Sequence, residues 1–60
     1  MKKSAKYNFM TISLLATRTE KAKEYEVAAN LWRKASVLAK NPNNIEWAMH
    51  RKNFCAKRIK

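Results

Sequence analysis

The chain has 60 residues, 47% of them hydrophobic, with no glycine, one proline, one cysteine and a formal net charge of +10. That length makes one domain at most, with a marginal core of its own, and the lone Cys55 excludes an intrachain disulfide. Oligomerisation is the remaining route to added stability, so a homodimer is expected, and an unpaired cysteine suits a reducing, cytoplasmic compartment.

The amino-terminal residues Lys2, Lys3 and Lys6 precede the apolar run from Phe9 to Ala16 and superficially resemble a signal peptide. That run is short and broken by Thr11 and Ser13, and cleavage near Ala16 leaves about 44 residues, so secretion is not expected. No stretch reaches the roughly 20 apolar residues of a membrane-spanning helix, and no membrane partner is expected. A first helix is predicted over residues 5–21, supported by Tyr7, Met10, Leu14 and Leu15 at helical spacings. Those four form the expected dimer or partner surface, because a short helix that shows so much apolar surface needs it covered. Thr17 followed by Glu20 offers a new helix start, yet no residue between 17 and 24 is a strong breaker.

A second helix is predicted over residues 24–40. Tyr25, Ala28, Ala29, Leu31, Trp32, Ala35, Leu38 and Ala39 recur at spacings of three and four, an apolar arc wide enough to meet two neighbours. The breaker Asn41-Pro42-Asn43-Asn44 follows, and Asn43 with Glu46 predicts an N-cap and a third helix over residues 44–58. Two apolar faces compete on that helix. One holds Ile45, Ala48, Met49, Cys55, Ala56 and Ile59 but sets Lys52 in its middle; the other gathers Trp47, Phe54 and Cys55 with Arg51 and Arg58. A core contact on Trp47, Ala48, Phe54 and Cys55 is preferred, since an arginine stem can lie along an aromatic ring with its head in water or on a carboxylate.

Reactive groups are scarce. There is no aspartate, and His50 and Cys55, five residues apart on one helix, stand about 140° from each other. One histidine and one cysteine fall short of a four-ligand zinc site, and a phosphate loop needs glycine. The expectation is a binding module without catalytic residues, metal or cofactor. Charge narrows the classes of partner: residues 1–19 and 47–60 carry bases and no acid, while Glu20, Glu24, Glu26 and Glu46 lie between. Such ends attract nucleic acid, anionic membrane or an acidic protein patch.

From Glu24 to Ala35, and on through Asn41-Pro42-Asn43-Asn44-Ile45-Glu46-Trp47, the chain resembles a tetratricopeptide repeat: tyrosine, alanine, aromatic, alanine, then a proline turn and an aromatic. Pro42 comes about two residues late for that pattern, and Lys23 stands where such repeats have the glycine that ends a helix. The analogy implies a turn near residues 21–23 and an all-α fold of three helices, a tetratricopeptide-like hairpin plus a third helix. A fuller resemblance starts near residue 13. Tyr25, Ala28-Ala29, Leu31-Trp32, Ala35, Asn44, Trp47, Arg51, Cys55 and Arg58 are spaced as in the ANR family, small bacterial AraC negative regulators, and the second half also resembles PerC-like virulence regulators. This resemblance implies a cytoplasmic regulator that binds an AraC-type activator of virulence genes and restrains it, with a nucleoid silencing protein as a further partner. Tyr25, Ala28, Ala29, Trp32, Ala35, Trp47 and Cys55 are read as core in either case, because aromatics and alanines at helical spacing usually pack.

The alternative is direct DNA binding through a basic face on the third helix, Arg51, Lys52, Lys57 and Arg58. No set of side chains matched to base edges is evident for it. A membrane-surface role for the first helix ranks last.

Overall fold

A computed structural model describes residues 7–59 as three α-helices, α1 (Phe9–Lys21), α2 (Tyr25–Leu38) and α3 (Pro42–Lys57), with no strand among the described residues. The start of the predicted first helix, residues 5 and 6, lies outside the described residues, as do Lys2, Lys3 and Lys6. Tyr7 is described and is not helical, so the helix begins later than predicted. Its start is fixed by a reciprocal cap: the Thr11 N–H donates to Asn8 Oδ1 at 2.9 Å, and the Asn8 N–H donates to Thr11 Oγ1 at 3.1 Å. An asparagine–threonine pair does here what serine and glutamate do in the usual box.

The α1–α2 turn falls at residues 22–24, and its backbone carries the strain that the missing glycine would have relieved. Lys23 has φ 65°, the left-handed region. Its N–H donates to the Glu20 carbonyl at 2.9 Å and the Glu24 N–H donates to the Thr19 carbonyl at 3.1 Å. These are the two bonds of a Schellman termination, with lysine at the position that favours glycine. Thr17 and Glu20 lie inside α1 and do not start a helix, and Glu24 precedes α2 without a side-chain capping bond.

The α3 start differs by two residues from the prediction. Asn41, extended at φ −86° and ψ 128°, is the N-cap; its side chain accepts from the Asn43 N–H at 2.8 Å, and Pro42 is the first helical residue. Proline lacks the N–H that is orphaned at this position anyway, and its ring pre-sets φ, so the helix starts at Pro42 and not after it.

Helix α2 lies between its neighbours and runs antiparallel to both. Phe9 at the start of α1 shares a cleft with Leu38 at the end of α2, and Arg58 just past α3 reaches Tyr25 at the start of α2. The core is one tryptophan in a bed of small residues: Trp32 and Ile12 are the large buried side chains, enclosed by Ala16, Ala28, Ala29, Ala35, Ala48 and Cys55. Alanines at each crossing let the helices approach closely enough to enclose the indole from both sides. Tyr25 is half-buried against this cluster.

Candidate partner-binding groove

The interaction that ties the three helices together centres on Glu20, which the sequence offered only as the partner of Thr17 in a candidate helix start. The Trp32 indole N–H donates to Glu20 Oε1 at 3.1 Å, and Arg51 Nη2 donates to Glu20 Oε2. The carboxylate is only 14% exposed. A buried indole N–H needs an acceptor and a nearly buried carboxylate needs donors, so each satisfies the other. Its partners stand 12 and 31 residues away, beyond the reach of any helical-spacing rule.

Above this anchor, side chains of α1 and α3 meet and form the floor of a groove. Trp47 packs edge-on against Trp32, with ring centroids 4.9 Å apart, and against Phe9 at 6.0 Å. It remains 46% exposed, which corrects its assignment to the core. Phe54, at 36% exposed, is corrected likewise. In α3 the buried positions are Ala48 and Cys55, with Ile45, Arg51 and Lys52 half-buried around them. The packed face is therefore nearer the alternative that placed Lys52 in its middle, and a half-buried lysine is compatible with such a face because its long aliphatic stem can be covered while the ammonium stays in water. Trp47 and Phe54 flank that face because the small residues are what fit closely against Trp32.

Trp47, Arg51, Phe54 and Arg58 follow one another at spacings of four, three and four, one stripe along α3. The guanidinium carbons of Arg51 and Arg58 lie 4.5 and 4.4 Å from the Phe54 ring centroid, and that of Arg58 lies 5.9 Å from the Tyr25 ring. Both arginines thus have partners within the fold. The proposed basic face does not exist as one face: on a helix Lys52 stands about 100° from Arg51, and Lys57 about 100° from Arg58 on the other side.

The four residues of the expected α1 surface also divide. Met10 and Leu14, 74% and 58% exposed, share a strip with Thr17 and Lys21. Thr17 and Lys21 line a cleft of about 330 Å³ with Glu20, Trp32, Trp47 and Arg51, and Met10 lines another with Phe9, Leu38, Lys40, Asn41 and Asn44. That strip is the α1 wall of the groove. Leu15, 48% exposed, stands about 100° further round, and Tyr7 precedes the helix.

Cys55 is fully buried, and burial pushes its thiol above the usual 9.0, against a smaller opposing pull from Arg51 and Arg58. His50 and Glu46 form an exposed pair at 3.8 Å on the far flank of α3. Among the described residues no group of three histidine, cysteine, aspartate or glutamate side chains is placed to hold a metal, and no helix is long and apolar enough to cross a membrane. Family models, curated proteins and solved structures yield no match to this chain.

Proposed function

We propose that the chain is a transcriptional regulator that works by binding protein, in the cytoplasm, and that its target is an AraC-type activator which it restrains. The observation that carries the protein-binding part is Trp47, a large aromatic packed edge-on against the Trp32 and Phe9 rings and left 46% exposed. A rigid, half-exposed tryptophan within an apolar strip is the kind of side chain that dominates protein interfaces, since it needs little ordering on binding and has much surface left to bury. The choice of activator rests on the resemblance of residues 25–58 to the ANR pattern. In that pattern Trp47 and Arg51 line the groove, while Ala28, Ala29, Ala35 and Cys55 enclose Trp32.

Direct DNA readout gains no support from the dispersed bases of α3, two of which are engaged with Glu20, Phe54 and Tyr25. The test is co-elution of the purified chain with a purified AraC-type activator from the same genome, alongside gel shifts on the activator's promoter. The expected outcome is a stable protein complex, with DNA binding by the chain alone weak, unselective and lost with added salt. A folded chain that co-elutes with no such activator, or that binds one DNA site tightly at physiological salt, overturns the reading. Self-association belongs to the same proposal through Tyr7 and Leu15, the two exposed residues that stand off the groove, and the elution volume of the chain alone reads it.

A further inference from the structure

Resting on the protein-binding reading, we infer that the groove between α1 and α3 takes one occupant, an acidic amphipathic helix of the partner. Three features converge on it. The groove is lined by the apolar Met10 and Trp47, and Leu14 stands one turn from Met10 on the same exposed strip of α1. Its ends carry the cations Lys21 at one side and Lys40 at the other, Arg51 being paired with Glu20. The one carboxylate lining either end is Glu20, and both its oxygens are already taken by Trp32 and Arg51. The unsatisfied charge around the apolar strip is therefore positive, and an occupant that answers it places leucine-like side chains on one face and carboxylates beside them.

A helix suits the shape better than an extended strand, because the groove walls are two helices and among the described residues no sheet edge exists to which a strand could add. α1 has 13 residues, so a ligand of three to four turns, about 20 Å long, covers the wall from end to end. A second copy of this chain is the poorer occupant. At a net charge of +10 per chain, apposing two copies of this groove sets lysine against lysine, and the acids Glu24, Glu26 and Glu46 stand elsewhere.

The experiment uses the full chain labelled with nitrogen-15 and three synthetic peptides of about fourteen residues. The first carries leucines at helical spacing with glutamates between them. The second replaces glutamate by lysine, and the third shuffles the first so that the leucine stripe is lost. The glutamate peptide is expected to shift the Trp47 indole and the Met10 and Leu14 amides, to bind at least about tenfold more tightly than either control, and to weaken as salt is raised. The double variant Lys21→Glu/Lys40→Glu, at exposed positions, is expected to retain its helical spectrum and lose most of that preference.

Equal binding of the glutamate peptide and its shuffled form reduces the effect to unspecific charge attraction and overturns the proposal. So does a duplex DNA that produces the same shifts, a shift of the Trp47 indole on mere concentration of the chain, or a peptide footprint confined to the opposite flank of α3, at Ile45, Met49 and His50. If an AraC-type activator co-elutes but the glutamate peptide leaves the groove unshifted, the acidic-helix inference falls and the protein-binding reading stands. If the peptide binds and no activator does, the choice of activator falls and the groove's chemistry stands.

Discussion

Removing the Glu20 carboxylate tests the packing logic most sharply. In Glu20→Ala, the Trp32 N–H, on a residue only 1% exposed, loses its acceptor in a place that water reaches poorly. An orphaned buried donor costs about 1–3 kcal/mol. Arg51 also loses its counter-charge, but its side chain is 35% exposed and recovers solvation, so that part contributes about 0.5–1 kcal/mol. The sum, about 1.5–4 kcal/mol, is a large share of the total for a chain of this length, about 3–9 kcal/mol at typical stability per residue. Glu20→Gln retains an oxygen for the indole and loses only the charge, so a cost of about 1 kcal/mol is expected. Urea titration followed by circular dichroism should rank wild type above Gln and Gln above Ala. In a Trp32→Phe background, which has no indole donor, Glu20→Ala should cost less by about 1 kcal/mol or more. An alanine variant within about 0.5 kcal/mol of wild type, or an unchanged cost in the Phe background, would refute the view that this carboxylate ties the three helices together.

Lys23→Gly should raise stability by about 0.5–1 kcal/mol, since it relieves the left-handed conformation at some cost in unfolded-chain entropy; a thermal melt is expected to move up by several degrees. Trp32→Ala removes the centre of the core, and a loss of about 3–5 kcal/mol should leave little folded chain, visible as loss of helical signal. Because burial raises the Cys55 thiol above 9.0, the folded state holds that proton more firmly than the unfolded state does. Its contribution to stability is therefore full below pH 9 and falls as pH rises through the raised value; this alkaline loss should be absent from Cys55→Ala in denaturant titrations at pH 8 and pH 10. Leu14→Glu, at a 58% exposed position, should leave the melting curve nearly unchanged and weaken partner binding by about tenfold or more in calorimetry.

The three-helix architecture was legible because α2 writes its packing into spacing: alanines and Trp32 recur on an arc that faces two neighbours at once. The α1–α2 turn was much less so. Lys23 has none of the chemistry of a helix terminator, and only the repeat-like register marked its position. Asn41 and Asn43 both look like caps, and the choice between them was decided by Pro42, whose fixed φ is better used inside the first turn than ahead of it. α3 was read half correctly, since aromatic residues at helical spacing were assigned to the core. In a core built of alanine crossings there is room for one tryptophan only, so Trp47 and Phe54 are displaced to its edge. Glu20 was illegible for a different reason: its role depends on two side chains brought in by other helices, and no local pattern encodes that.

The central proposal is that this chain binds an AraC-type activator through the groove that Trp47 lines. Titrating the unlabelled activator into the nitrogen-15 labelled chain and recording both indole signals tests it directly. The account predicts that the Trp47 indole shifts or broadens at stoichiometric activator together with the Met10 and Leu14 amides, while the buried Trp32 indole moves less and Trp47→Ala weakens the complex by about tenfold or more. An activator that leaves the Trp47 signal in place, or one whose binding is untouched by Trp47→Ala in a folded variant, contradicts it.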